Sequence, residues 1–285
     1  MPAPIRILTA IDETRALVRE AREAGRRIAL VPTMGALHEG HAELVRTALE
    51  HAGLVVASVF VNPMQFGPHE DLDRYPRTPD ADLDALAALG VEAVFMPTTE
   101  AMYPEGRSST IVTPGHLGTV LEGRSRPGHY DGVLTVVTKL FSIVQPDIGV
   151  FGEKDAQQLF LVRRLVRDLN LPVEIVGVPT VREPDGLALS SRNSMLPSAA
   201  RADALVLSRA LAAAGAASDR GVEAMLAAAQ AVCQDDTGVQ LDYLAIVDPR
   251  TFAFAGDSYR GPAQVLIAAR VGGVRLIDNA TYSIP

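Results

Sequence analysis

Short, unbroken apolar runs, each followed by a helical pattern, constrain the fold of this chain more than any other feature. Residues Ile28–Thr33 form the first such run, and the apolar residues of Gly40–Ala52 after it recur at helical spacing. Residues Leu54–Val61 are apolar without alternation, which is typical of a strand covered on both faces, and Asn62-Pro63 ends them. A strand, a helix and a second covered strand in this order predict parallel strands joined by a helix.

The same alternation continues to about residue 182. It predicts three more helices, Asp80–Leu89, Asp131–Val144 and Asp155–Leu169, and three more strands, Val91–Met96, Ile148–Phe151 and Val173–Val178. The pattern therefore predicts an α/β fold with a Rossmann-like, doubly wound parallel sheet that carries helices on both faces.

The pattern changes after about Arg182. It predicts two Ala-rich helices followed by three strands: Ser198–Ala214, Gly221–Cys233, Leu241–Val247, Gln264–Val271 and Val274–Ala280. Between the last two strands, Gly272-Gly273 predicts a hairpin turn. We therefore expect a first domain over residues 1–183, a smaller C-terminal α+β lid domain over residues 184–285, and a hinge near Pro184–Leu189.

Composition limits the classes of partner. A length of 285 residues is enough for two domains, and 26 basic against 34 acidic residues give a net charge of −8, which argues against a nucleic-acid surface. The single cysteine, Cys233, allows neither an intrachain disulfide nor a Cys-based zinc site, which fits a reducing cytoplasm. Residues 1–15 lack a secretory apolar core, and no apolar stretch reaches the roughly 18 residues of a membrane helix, so no membrane partner is predicted.

The loop after the first predicted strand, residues 33–41, is the main candidate for chemistry. In a doubly wound sheet, ligands bind beyond the carboxyl ends of the strands, where a helix N-terminus attracts phosphate. Gly35 and Gly40 have the spacing of a P-loop, but His41 stands where its lysine should be. His38 and His41 share one face of a helical turn, and Gly40 allows a nucleotide to approach the backbone. A two-histidine metal site and a pair of capping histidines are the alternatives.

A second cluster follows the strand that ends at Phe151. Only two of the 26 basic residues are lysines, Lys139 and Lys154, so a retained lysine can mark a place that needs a compact ammonium. Lys154 lies at the predicted ligand edge of the sheet, with Asp155 at the helix start and Gln158 one turn further on. The alternative is a solvated helix cap.

Three other polar clusters have both functional and structural interpretations. Asn62 and Gln65 offer neutral amides suited to hydroxyl groups, although Asn62-Pro63 is also an ordinary turn signal. Ser190-Ser191-Arg192-Asn193 places hydrogen-bonding groups beside a planar cation, or forms a helix cap. Arg124 and Arg126 lie in a glycine-bearing loop that is either a basic site or simply solvated.

Five motifs, in this order, resemble the pantothenate synthetase family, also called the pantoate-β-alanine ligases. They are residues Val31–His41, Phe60–Phe66, Asp73–Thr78, Phe151–Asp155 and Ser190–Asn193, and the resemblance runs from about residue 5 to the C-terminus. His-x-Gly-His by itself is less specific, since the wider nucleotidyltransferase superfamily and class I aminoacyl-tRNA synthetases share it. Leu189 stands where the family has methionine, a swap that keeps the apolar volume.

The resemblance implies an ATP-dependent ligase that condenses pantoate with β-alanine through a pantoyl-adenylate, releasing pyrophosphate and AMP with Mg²⁺. It implies catalytic roles for His38, His41, Lys154 and Arg192, pantoate binding by Gln65 and Gln158, and β-alanine binding next to Gln65. The implied ATP-binding residues are Met34, Gly35, Ala36, Leu37, His38, Glu39, Gly40, His41, Gly152, Glu153, Lys154, Asp155, Val181, Leu189, Ser190, Ser191 and Arg192. It implies a homodimer, and no metal held by protein side chains.

Two other functions remain open at this point. A simple nucleotidyltransferase shares the His-x-Gly-His signature but needs no site for a second nucleophile. A non-catalytic nucleotide sensor built on the same fold binds ATP without turnover.

Overall fold

The computed structural model describes residues 5–68, 70–234 and 238–285. Residues 1–4, at the start of the first predicted domain, lie outside the described residues. The chain divides into two compact units, one of residues 1–153 with 161–179 and one of residues 154–160 with 180–285.

The first unit contains a six-stranded parallel sheet. Its strands are β1 (Arg6–Leu8), β2 (Ile28–Thr33), β3 (Leu54–Val59), β4 (Ala93–Phe95), β5 (Ile148–Gly152) and β6 (Glu174–Val178). They lie in the order β1-β4-β3-β2-β5-β6, and every neighbouring pair is parallel. This sheet and its flanking helices confirm the predicted doubly wound α/β architecture.

Helices cover both faces of this sheet. They are α1 (Ile11–Glu23), α2 (Glu39–His51), α3 (Pro79–Ala88), α4 (Thr99–Met102), α5 (Glu122–Ser125), α6 (His129–Val144) and α7 (Ala156–Asp168), the last of which contributes residues to both units. Ala29 and Val31 of β2 pack in one core with Leu44 and Val45 of α2. The alternate residue Leu30 is also fully buried, and α1 and α6 contact β2. Burial on both faces explains why these strands read as continuous apolar runs.

The second unit contains two helices and a three-stranded antiparallel sheet. Its elements are α8 (Val206–Ala216), α9 (Val222–Gln234), β7 (Val239–Val247), β8 (Gly261–Val271) and β9 (Val274–Ile284), with β8 in the middle of the sheet. The predicted hairpin at Gly272-Gly273 is confirmed, since Val271 pairs with Val274 and both glycines have positive φ, as a two-residue type I′ turn requires.

Two parts of the chain differ from the predicted elements. Residues Ser198–Ala214 are not one helix, because two short 3₁₀ turns precede α8, which begins at Val206. Ala200 lies so close to the hairpin turn that a Cβ at Gly272 would come within 2.6 Å of its methyl group, so tertiary packing overrides local helix propensity there. Strand β1 and helix α1 were not predicted. Within the described residues, no helix combines the length and the apolar character needed to cross a membrane.

Candidate active site

The strand order reverses between β2 and β5, which places the loops after these two strands side by side. Ala29 and Leu30 of β2 pair with Ile148 and Gly149 of β5, so both strands end at the same edge of the sheet. Such a reversal opens a crevice at the carboxyl edge, where doubly wound proteins bind their ligands. The loop after β2 leads to His38, and Gly152 is the last residue of β5.

His38 and His41 cap helix α2 reciprocally. His38 is the N-cap residue, and its Nδ1 accepts a hydrogen bond from the backbone N–H of Gly40 at 3.1 Å. The Nδ1 of His41 accepts from the backbone N–H of His38 at 3.2 Å, and the ring centroids are 4.1 Å apart. The capping interpretation of these histidines is therefore confirmed, and both caps are formed through Nδ1.

This capping arrangement fixes the tautomer of both rings. A backbone N–H can only donate, so each Nδ1 must be an unprotonated acceptor. The proton of each neutral ring then lies on Nε2. The first turn of α2 thus carries two imidazole Nε2–H donors next to the positive end of the helix dipole, an arrangement suited to phosphate oxygens.

Asp82 of α3 holds the backbone of the loop that leads into this histidine pair. Its carboxylate is 3% exposed and accepts from the backbone N–H groups of Ala36 at 3.0 Å and Leu37 at 2.8 Å. Gly35 and Ala36 both have positive φ, and a Cβ at Gly35 would lie 2.9 Å from Asp82 Oδ2. Glycine is therefore required at position 35 by both backbone conformation and space.

We expect Asp82→Asn to destabilise the protein by about 1–3 kcal/mol. Asparagine puts an amide nitrogen in the place of one carboxylate oxygen, and this nitrogen cannot accept the hydrogen bond of the backbone N–H that faces it. Misplacement of residues 36–38 should also raise the KM for the nucleotide that the family resemblance implies. Chemical denaturation and steady-state kinetics measure the two effects. Asp80→Asn is the matched control, since Asp80 is exposed on the same helix, and equal behaviour of the two variants would contradict the role of Asp82.

Gln65 lies on a 3₁₀ turn, Pro63–Gln65, shortly after β3. It is 8% exposed, and its Nε2 lies 3.0 Å from the Sδ of Met34, which brings two sequence-predicted residues together. Asn62 is 1% exposed and fully engaged, with its Nδ2 donating to Gln65 Oε1 and Gly132 O. Asn62 therefore supports Gln65, and it does not offer the open amide that the sequence suggested.

Arg126 is held by hydrogen bonds next to the 3₁₀ turn Pro63–Gln65. Its guanidinium donates to both carboxylate oxygens of Glu70 and contacts Nε2 of His129 at 3.0 Å, and Nδ1 of His129 lies 2.9 Å from Gln65 O. Arg126 thus supports the backbone at Gln65, whereas the other basic residue of this loop, Arg124, is exposed.

In the second unit, strand β9 holds the turn that carries Lys154. The Nδ2 of Asn279 donates to the Lys154 carbonyl at 2.9 Å, and its Oδ1 accepts from Gln264 at 3.1 Å. The neighbouring Asp278 forms a two-point ion pair with Arg182 at 2.6 and 2.9 Å. The hydrogen bond to Asp278 raises the pKa of Arg182 and outweighs burial, which lowers it.

Val181 and Leu189 to Arg192 lie on the two chain segments next to the Arg182–Ala188 bridge. The backbone N–H of Leu189 donates to Val181 O at 2.9 Å, and an antiparallel bridge joins Arg182 to Ala188. Ser190 caps the 3₁₀ helix Ser191–Met195 by accepting from the backbone N–H of Arg192 at 3.3 Å. The cap interpretation of this cluster is therefore confirmed.

The predicted site residues are divided between the two units. The first unit contains Met34, Gly35, Ala36, Leu37, His38, Glu39, Gly40, His41, Gln65, Gly152 and Glu153. The second contains Lys154, Asp155, Gln158, Val181, Leu189, Ser190, Ser191 and Arg192. Within the described ranges, no group of three or more His, Cys, Asp or Glu side chains is arranged to hold a metal ion.

A family model for pantoate-β-alanine ligase matches residues 6–281 of this sequence. The chain belongs to the pantoate-β-alanine ligase family. A relative named pantothenate synthetase from Leifsonia xyli subsp. xyli is 60% identical over 259 residues, which cover 91% of this chain and 90% of the relative. Another of that name from Thermobifida fusca is 55% identical over 267 residues, covering 90% of each chain.

Solved structures of this ligase family have the same fold. Pantothenate synthetase from Thermus thermophilus superposes with a TM-score of 0.90 at 48% identity, covering 97% of this chain and 99% of that one. A pantoate-β-alanine ligase from Francisella tularensis, complexed with β-γ ATP and β-alanine, has a TM-score of 0.79 at 33% identity and covers 97% of each chain.

Three residues that hold sequence-predicted residues in place were not found from the sequence: Asp82, Asn279, and Tyr103, whose hydroxyl donates to Asn62 Oδ1 at 2.8 Å. Each is polar and well separated in sequence from the residue it holds. Asp82 lies in the first turn of α3 together with Asp80, where acidic residues are common because they interact favourably with the helix dipole. The sequence therefore carried no signal that separated Asp82 from Asp80.

Proposed function

We propose that this protein condenses pantoate with β-alanine in two half-reactions that consume ATP and release pyrophosphate and AMP. The observation that supports this function best is the reciprocal histidine cap, which presents two Nε2–H donors at the reversal point of the sheet within a chain of the pantoate-β-alanine ligase family. In the first half-reaction a carboxylate oxygen of pantoate attacks the α-phosphorus of ATP and pyrophosphate leaves. In the second, the amine of β-alanine attacks the acyl carbon and AMP leaves.

The adenylate makes the second step feasible. A carboxylate is a poor acceptor for an amine until one of its oxygens becomes part of a good leaving group, and AMP provides that group. The first step brings two anions together, so the main requirement is compensation of negative charge as it develops on the phosphates.

We assign that compensation to four side chains. The family resemblance assigns the role of proton donor or phosphate stabiliser to His41, with His38 beside it, and the Nε2–H groups are the donors that suit this role. The family resemblance assigns the positive charge to Lys154 and Arg192, and it assigns nucleotide binding to residues 34–41, Gly152 to Asp155, Val181 and Leu189 to Arg192. Gln65 and Gln158 bind the hydroxyl and carboxylate oxygens of pantoate, and Gln65 lies beside the incoming β-alanine.

We propose that Mg²⁺ enters as part of the ATP substrate. Magnesium prefers oxygen ligands and often binds through substrate phosphates, where it neutralises charge. His38 and His41 are unsuited to hold a metal through Nδ1, because both Nδ1 atoms accept backbone hydrogen bonds. The protein is expected to require Mg²⁺ and to contain no stoichiometric zinc.

A coupled assay of AMP formation tests the function. We expect AMP only when ATP, Mg²⁺, pantoate and β-alanine are all present, with loss of activity in EDTA and recovery on addition of Mg²⁺. Stoichiometric zinc whose removal cannot be compensated by Mg²⁺ would contradict the metal assignment. A nucleotidyltransferase would form an NDP-like product without β-alanine, and a nucleotide sensor would bind ATP without forming AMP.

We further propose that the protein works in the cytoplasm as a homodimer. A single cysteine, Cys233, which is buried, fits a reducing compartment. The homodimer follows from the family resemblance, and light scattering of the purified protein measures it.

A further inference from the structure

Backbone groups determine the orientation of the Asn62 amide. The N–H of Met64 donates to Asn62 Oδ1 at 3.3 Å, and the carbonyl of Gly132 accepts from Asn62 Nδ2 at 3.1 Å. A backbone N–H only donates and a backbone carbonyl only accepts, so the amide has one permitted orientation. Gly132 is close to this turn because it has no side chain, since a Cβ there would lie 2.3 Å from Met64 O.

The orientation of Asn62 in turn determines that of Gln65. The second N–H of Asn62 Nδ2 points at the Gln65 amide at 3.0 Å, so the atom that receives it must be the oxygen, Oε1. The Nε2 of Gln65 then faces the other way, where it donates to Met34 Sδ at 3.0 Å. A thioether is a weak acceptor, and within the described residues Gln65 Nε2 forms no other hydrogen bond. Gln65 therefore presents a hydrogen-bond donor.

Tyr103 supplies the shorter of the two bonds that hold Asn62 Oδ1. Its hydroxyl donates to this oxygen at 2.8 Å, against 3.3 Å for the Met64 N–H, and its side chain is 5% exposed. Burial raises the pKa of Tyr103 to about 12, so the phenol stays protonated and remains a donor at neutral and mildly alkaline pH. Lys139, one of the two lysines, lies over the tyrosine ring at 5.3 Å from its centroid.

We propose that Tyr103 is a positioning residue for substrate selection, which acts through Asn62 to hold Gln65 as a donor toward an oxygen acceptor of the hydroxy acid. This inference rests on the proposed function and deepens it. The substrate group that meets Gln65 Nε2 is an oxygen with a lone pair, such as a carboxylate or hydroxyl oxygen. A group that can only donate, such as an ammonium, is rejected at this point.

The test is a double-mutant cycle of Tyr103→Phe and Gln65→Ala in the pantoate-dependent assay. Removing one hydrogen bond should raise the KM for pantoate about 3- to 10-fold and leave the KM for ATP within about twofold. In the Gln65→Ala background, Tyr103→Phe should add no further increase, because its effect passes through Gln65. A purely structural role would raise both constants or lower the amount of active enzyme, and it would act in both backgrounds.

Tyr282→Phe is the matched control, because the Tyr282 hydroxyl also donates a single bond of 2.8 Å, to Leu211 O in the second unit. It should leave the KM for pantoate unchanged. Asn62→Asp provides a second variant should Tyr103→Phe not fold: a carboxylate cannot donate to Gln65 Oε1, so the KM for pantoate should again rise.

Two results would overturn the inference: an unchanged KM for pantoate in the folded Tyr103→Phe or Asn62→Asp variant, or a full additional increase in the double variant. Wild-type protein that forms no AMP from pantoate and β-alanine would instead refute the proposed function, and this inference with it. The two failures are thus distinguished by the activity of the wild-type protein.

Discussion

Replacing His41 by asparagine should reduce pantoate-dependent exchange of labelled pyrophosphate into ATP by about 100-fold or more. Exchange requires reversal of adenylate formation, so it reports the first half-reaction alone. The side-chain oxygen of asparagine occupies a position similar to that of Nδ1 and can still accept from the His38 backbone N–H. Asparagine has no donor at the position of Nε2–H, so the phosphate contact is lost. The variant therefore separates the phosphate contact from the helix cap.

His41→Ala should lose the same exchange activity and, in addition, about 1 kcal/mol of stability, because it removes the cap as well. His51→Asn is the control, since His51 is exposed at the other end of α2. Exchange that requires β-alanine would indicate a concerted route. ADP as the product would indicate an acyl-phosphate mechanism and exclude the adenylate.

Replacing Lys154 by alanine should lower kcat/KM for AMP formation by about 100-fold or more, as expected when a preorganised group that stabilises developing charge is lost. Lys154→Arg should also be poor, because a planar guanidinium does not imitate a compact ammonium. Asn279 holds Lys154 through its backbone carbonyl, so neither substitution removes the contact that places the turn.

Lys139→Ala is the control for this experiment, as the only other lysine of the chain. It should have a small effect, since a cation–π contact such as that with Tyr103 contributes about 0.5–1 kcal/mol where water still reaches the cation. Wild-type turnover by Lys154→Ala would remove this residue from the proposed phosphate site.

The parallel sheet could be predicted because its strands are covered on both faces. Leu30 and Val56 are fully buried between layers of helices, and such burial leaves continuous apolar runs that the sequence displays directly. β1 has only three residues, too few to show a pattern. Helix α1 does have apolar residues at helical spacing, with Leu17, Val18 and Ala21 buried, but they lie before the first strong strand signal.

The histidine loop could be predicted because its chemistry and its position lie within one short segment. The residues that support it could not, because the contacts join distant parts of the chain. Asp82 lies 46 residues from Ala36, Tyr103 lies 41 residues from Asn62, and Asn279 lies 125 residues from Lys154. Only the folded chain brings these pairs together. Polar residues of this kind are common on helices and loops, so the sequence does not show which of them form such contacts.

The bond from Asn279 to the Lys154 carbonyl bears on how the chain can be divided in protein engineering. A fragment cut after residue 183 would retain Lys154 but lose the strand that holds its backbone, together with the partner of Arg182, Asp278. Circular permutants or split versions should therefore keep residues 154–160 and strand β9 in one piece. Strand β9 is synthesised more than a hundred residues after the turn that it holds, so the backbone of this lysine gains that contact only after β9 has been translated.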